Sequence, residues 1–104
     1  MINLNASLLE QHNAQDKPVL VEFWAPWCVY CRRIAPALDK VSQLRQDILV
    51  GQVNIDSEPL LANQEQIEVI PTLILYKNGE ALGSIVAPES KARIEEFIAE
   101  TLNA

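Results

Sequence analysis

The chain is poor in cysteine, histidine and glycine and has no long apolar run, and each shortage closes off a class of protein. Cys28 and Cys31 are the only cysteines, and His12 is the only histidine. One cysteine pair makes no disulfide framework. A four-ligand zinc site within one chain is short of soft ligands. A loop this short also gains little as a structural staple. Three glycines and six prolines exclude collagen and low-complexity sequence. No stretch reaches the about 18 apolar residues of a membrane-spanning helix. Basic residues are scarce too, eight against 14 acidic ones, for a net charge of −6. Such a surface repels phosphate backbones and anionic lipid, so neither nucleic acid nor membrane is expected as a partner. Met1 to Gln15 hold no basic segment followed by an apolar one, so no signal peptide is expected and the location expected is cytoplasmic.

What is present is an ordinary globular composition. With 104 residues and 49% of them hydrophobic, the chain builds a real core without metal or disulfide support. Residues 1–104 are expected to form a single domain.

The pattern along the chain alternates strands and helices. Met1–Leu4 reads as a short strand, and Asn5 as the N-cap of a helix over Ala6–Gln11 with Leu8 and Leu9 inward. Pro18–Trp24 is a β-favouring run broken only by Glu22, the pattern of a strand buried on both faces. Ala25-Pro26-Trp27 ends it. From Cys28 a helix is expected, with Ile34, Leu38, Val41 and Leu44 inward and a kink at Pro36. Ile48–Ile55 is a second buried strand, followed by a short helix capped by Ser57 with Pro59 in its first turn. Thr72–Tyr76 is a third strand, and Asn78-Gly79 predicts a hairpin to Glu80–Val86. A last helix reaches Leu102, with Ile94, Phe97, Ile98 and Leu102 on one face. The order βαβαβαββα implies an α/β fold: a central mixed β-sheet flanked by helices on both faces, parallel where helices connect the strands and antiparallel in the closing hairpin.

Cys28-Val29-Tyr30-Cys31 lies where a buried strand gives way to a helix. The free N–H groups and dipole of a helix start favour a thiolate at Cys28, and Arg32 and Arg33 add positive charge in the next turn. Cys31 lies three residues on, on the same helical face, within reach of Cys28. A nucleophile and a resolving thiol in one turn suit dithiol–disulfide exchange. Two alternatives stand beside this. The cysteines would be small buried hydrophobes, with Trp27 and Tyr30 as core. Or they would be half of a metal or iron–sulfur site completed by a second chain.

The segments VEFWAPWCVYC, RRIAPALDKV, QVNID and VIPTLILYKNGE, in this order, resemble the thioredoxin family. The resemblance runs from about residue 18 to residue 86 and extends to the last helix. It implies the thioredoxin fold, with Cys28 as nucleophile and Cys31 as resolving thiol. It also implies a cis peptide at Ile70-Pro71, lying against the disulfide, where the backbone before the proline pairs with substrate. Trp27 and Ile70 would flank a shallow apolar docking surface.

The chain departs from the family in four places. Val29-Tyr30 replaces the usual Gly-Pro, which is expected to make the disulfide somewhat more oxidising. Tyr30 is expected to be exposed, either as an ordinary surface aromatic or as a partner-binding group. Glu22 stands where the family has a buried Asp. Burial would raise its pKa and suit it to take the proton of Cys31; the alternative is a Glu22 that faces solvent. Gln52 replaces a frequent Lys near that acid, and Ala87 a Gly beside the active site, where its methyl narrows the docking groove. Asn54 and Asp56 read as strand-end and turn residues and His12 as a surface residue of the first helix.

The activity expected is reduction of protein disulfides, with no bound cofactor, because the cysteine pair carries the electrons. The expected partners are disulfide-bearing proteins and an external reductase such as a thioredoxin reductase, and the chain is expected to be a monomer. The competing functions are a disulfide isomerase or oxidant, which needs an oxidising compartment, and a binding adaptor that docks through Trp27, Tyr30 and Ile70 with its thiols incidental.

Overall fold

Val19–Trp24 forms the middle strand of a five-stranded sheet, which explains its nearly unbroken apolar run: both of its faces are covered. The computed structural model describes residues 1–103. In chain order the elements are β1 (Ile2–Asn3), α1 (Ala6–Asn13), β2 (Val19–Trp24), α2 (Val29–Leu44), β3 (Leu49–Asn54), α3 (Pro59–Gln64), β4 (Thr72–Lys77), β5 (Glu80–Val86) and α4 (Lys91–Leu102). This is the expected βαβαβαββα. The sheet order is β1-β3-β2-β4-β5.

The period of two along the strands sorts the core into two layers. Leu20, Val50, Leu73 and Leu75 meet Ile34, Leu38 and Val41 of α2 and Ile94, Phe97 and Ile98 of α4. Val21, Phe23, Val53 and Ile74 turn the other way, toward Leu9 of α1 and Leu61 of α3. The fold is thus the expected mixed sheet with helices on both faces. Its antiparallel part begins one strand earlier than the hairpin alone implies: β2 and β3 are parallel, but β4 already runs antiparallel to β2. The six-residue α3 and the segment after it return the chain in the reverse sense. The Asn78-Gly79 hairpin is as expected, with both residues at positive φ, 53° and 81°, as a type I′ turn demands.

Local chemistry sets the helix starts. Asn5 Oδ1 accepts from Leu8 N at 2.8 Å, and Ser90 Oγ from Arg93 N at 3.1 Å. Three expectations need correction. Leu8 is exposed while Leu9 is buried, because neighbours on a helix lie about 100° apart and a two-turn helix has one inner face. Leu44 is exposed, because successive steps of three residues carry it roughly 80° off the stripe begun at Ile34. Ser57 does not cap α3: Pro59 opens the helix, so the cap position falls on Glu58, which makes no side-chain cap.

The edge strand β1 lies beside β3 in the sheet, with Ile2 paired to Gly51. A Cβ at Gly51 would lie 2.5 Å from Leu4 Cδ1 and 3.3 Å from the Ile2 carbonyl oxygen. Leu4 is itself buried in the core. Gly51→Ala is therefore expected to destabilise the protein by about 1–3 kcal/mol, the usual penalty of overpacking, as read from the urea midpoint.

Candidate active site

The site is assembled where β2 ends and α2 begins. The turn Ala25-Pro26-Trp27 is closed by Cys28 N donating to Ala25 O at 3.1 Å. Cys28 is the N-cap of the 16-residue helix α2, and its Sγ accepts from Cys31 N at 3.1 Å. The two cysteines are joined in a disulfide, with Cα atoms 5.3 Å apart. Cys28 is 8% exposed and Cys31 2%, so the cap residue is the more exposed of the two. The helix start supplies free N–H groups and the positive dipole end to the Cys28 sulfur. Arg32 and Arg33 follow, both exposed. Burial of the cysteines thus goes together with a bonded pair at a helix terminus, which is a redox arrangement and not hydrophobic filling.

Glu22 lies in the middle of β2, level with Gln52 of β3 and Leu73 of β4. It is 2% exposed, which removes the solvent-facing alternative. Its Oε2 is buried without a hydrogen-bond partner. Glu22 and Cys31 line a common cavity of about 260 Å³ together with Trp24, Asp39 and Gln52. Burial, and secondarily the charge of Asp39, push the Glu22 carboxyl up to about 7. Gln52, in place of a cation, donates its side-chain amide to Asn3 Oδ1 at 2.7 Å.

The opposite wall comes from two loops. The Ile70-Pro71 peptide is cis, as the resemblance implies. Pro71 is buried, and Ile70 packs half-buried on the cluster of Ala25, Cys28 and Cys31. Thr72 Oγ1 donates to Val69 O across the bend. Ala87 N donates to Pro71 O at 2.9 Å, which ties the end of β5 to this loop. Ala87 has φ +46°, a left-handed conformation that a glycine adopts without cost. Trp27, Val29, Val69 and Val86 are exposed large hydrophobics borne on these segments.

Two side-chain contacts join distant segments of the chain. The Trp27 indole N–H donates to Asp56 Oδ2 at 3.0 Å, so Asp56 is more than a turn residue. Asn54 in turn holds Asp56, accepting its N–H at 2.9 Å. Tyr30 is half-buried rather than exposed, and its hydroxyl donates to Pro88 O at 3.0 Å. That hydroxyl is therefore spent inside the protein, and the expectation of a free partner-binding phenol is corrected. Twenty-nine and 58 positions separate these pairs, so no local signal announces them.

A disulfide-bonded cysteine pair at a helix start, sharing a cavity with a buried carboxyl, in a mixed sheet with helices on both faces, defines a thiol–disulfide oxidoreductase. Comparison with known proteins gives the family. The family model described as Thioredoxin matches residues 2–100. A thioredoxin of Alicyclobacillus acidocaldarius subsp. acidocaldarius is 40% identical over 88 residues, 84% of each chain. A thioredoxin of Porphyra purpurea is 36% identical over 95 residues, 90% of this chain and 89% of its own. A solved structure of Plasmodium falciparum thioredoxin matches with a TM-score of 0.88 at 24% identity, over 96% of this chain and 98% of the other, which shows the fold. The chain belongs to the thioredoxin family, and it is an enzyme of protein-disulfide reduction. Among the described residues, no group of three or more His, Cys, Asp or Glu side chains is placed to hold a metal ion, and no helix is long and apolar enough to cross a membrane.

Proposed function

We propose that the protein reduces disulfides in other proteins by a two-step exchange in which Cys28 attacks, Cys31 resolves and Glu22 accepts the proton. The observation that carries this is the bonded pair at the start of α2, with the unpartnered Glu22 carboxyl sharing a cavity with Cys31. In the reduced protein, the Cys28 thiolate attacks one substrate sulfur, forms a mixed disulfide and expels the other substrate sulfur as a thiolate. Cys31 then passes its proton to the Glu22 carboxylate and attacks Cys28 Sγ. This breaks the mixed disulfide, releases the second substrate thiolate and leaves the Cys28–Cys31 disulfide. Two electrons pass to the substrate, and no further cofactor enters the balance.

The docking surface in this reading comprises Trp27, Val29, Ile70, Pro71 and Ala87, with the backbone before Pro71 pairing with an extended substrate segment; Tyr30 stands behind it, its hydroxyl held by Pro88. The exposure of Trp27 and Val29 and the packing of Ile70 on the cysteines support it. Asp56 holds the indole N–H of Trp27. Recycling falls to an external reductase such as a thioredoxin reductase. A Mycobacterium leprae relative, 36% identical over 91 residues, is a bifunctional thioredoxin reductase/thioredoxin, which supports such a partnership. Residues 1–104 act as a single thioredoxin-like domain, monomeric and cytoplasmic.

The reduction potential tests the reductant role. Equilibration of the Cys28–Cys31 pair against glutathione and dithiothreitol buffers is expected to give a value somewhat above the about −270 mV of thioredoxin and below the about −180 mV of protein disulfide isomerase. A value at or above the isomerase level overturns the reductant role in favour of an isomerase or oxidant.

A further inference from the structure

Tyr30 occupies the second position between the cysteines, and it faces inward. It packs against both the cysteine cluster and the core layer beneath α2 and α4. Its hydroxyl reaches the loop between β5 and α4, donating to Pro88 O at 3.0 Å. One residue earlier in that loop, Ala87 N donates to Pro71 O at 2.9 Å. The active-site turn, the β5–α4 loop and the cis-proline loop are thus linked in series by two hydrogen bonds, and the first depends on a phenol that a proline at position 30 would lack. Ala87 sits between them at φ +46°, a conformation that alanine holds only when its surroundings impose it. Pro88, its neighbour, is buried, and the hydrogen bond from Tyr30 to its carbonyl is itself partly buried.

We propose that Tyr30 is a positioning residue: its hydroxyl clamps the β5–α4 loop against the active-site helix and so holds the Ala87 side of the protein-docking groove in its binding shape. The inference rests on the docking surface proposed above. It assigns the hydroxyl no part in sulfur chemistry. The clamp therefore serves substrates that must lie along the groove and is irrelevant to a small disulfide that needs only the Cys28 sulfur. It also gives the Val29-Tyr30 dipeptide a role in substrate choice, separate from any effect on the potential.

The test is Tyr30→Phe, which keeps the packed ring and removes only the donor. Insulin serves as the protein disulfide and hydroxyethyl disulfide as the small one. The expected result is a KM for insulin raised about fivefold, the effect of one ordinary hydrogen bond, with kcat unchanged. The rate with hydroxyethyl disulfide and the reduction potential stay at wild-type values, and amide exchange at Ala87 quickens. Equal slowing with both substrates, a displaced potential, or unchanged kinetics with insulin each overturns the clamp. A wild-type protein that reduces neither substrate overturns the active-site reading itself, and the clamp with it.

Discussion

Cys28→Ser is expected to abolish disulfide reduction, leaving only the uncatalysed background, while the fold and the docking surface persist. A hydroxyl is not ionised by a helix N-terminus at neutral pH, whereas a thiol there is shifted well into the ionised range. Cys28 is the cap residue of α2 and the less buried residue of the pair, so it is the one expected to meet an incoming disulfide. The companion variant Cys31→Ser has a different outcome. It completes the first attack and stops, because nothing remains to break the mixed disulfide. Mass spectrometry of Cys31→Ser mixed with an oxidised protein substrate is expected to find a covalent adduct at Cys28, which dithiothreitol releases. Multiple turnover by Cys28→Ser would sink the assignment of the nucleophile, as would an adduct carried by Cys31 in the Cys28→Ser protein. An adaptor with incidental thiols predicts that neither variant changes function.

The second large effect belongs to Glu22. Its carboxyl titrates at about 7 in the folded protein against an ordinary value of 4.5, chiefly because it is buried. Between these two values the native state binds more protons at this site than the unfolded chain does. Stability from this group is therefore highest below the unfolded value, declines as pH rises through the window, and is lowest above about pH 7, where the buried site carries a charge. The whole shift corresponds to about 3 kcal/mol at 1.4 kcal/mol per unit. Glu22→Gln keeps the shape and removes the charge. It is expected to be more stable than the wild type by up to about 3 kcal/mol at pH 8 and little different at pH 4. Urea unfolding of both proteins across this range isolates the site, because every other carboxylate is common to the pair.

The same substitution is expected to slow the reaction. Without an acceptor in the cavity, Cys31 must lose its proton to solvent from a position only 2% exposed. The release of substrate from the mixed disulfide is expected to fall about 10²-fold, a usual contribution of a positioned base. In the wild type this step should quicken as pH rises through about 7, and the variant should lack that inflection. A more stable protein with an unchanged release rate would leave Glu22 as a buried charge with no part in proton transfer. Stabilisation alongside a slower reaction is the signature of a site that gives up stability for function.

Most of the site is legible in the residues because its causes are local. A strand-favouring run followed by a break and a helical pattern fixes where α2 starts, and the start of a helix is what alters a thiol. A single carboxyl in that run marks Glu22 as anomalous, although its burial depends on β3, β4 and α2 covering it. The cis peptide before Pro71 followed from the resemblance rather than from the residues around it. Local pattern failed where geometry accumulates, as at Leu44, or where one residue fixes a neighbour's role, as Pro59 does for Glu58. It failed also for contacts between loops, since Asp56 and Pro88 carry no mark of the aromatic side chains they receive.

The sequence by itself determined the elements, their order, the two layers of the core and the redox pair, because periodicity, capping and helix-start electrostatics act over a few residues. Only the tertiary structure decided that β4 runs antiparallel to β2, that Glu22 is sealed beside Cys31, and that Trp27 and Tyr30 are held by Asp56 and Pro88. These depend on which distant segments the sheet brings side by side. Burial, and with it the raised Glu22 pKa, exists only once all of the covering segments are in place.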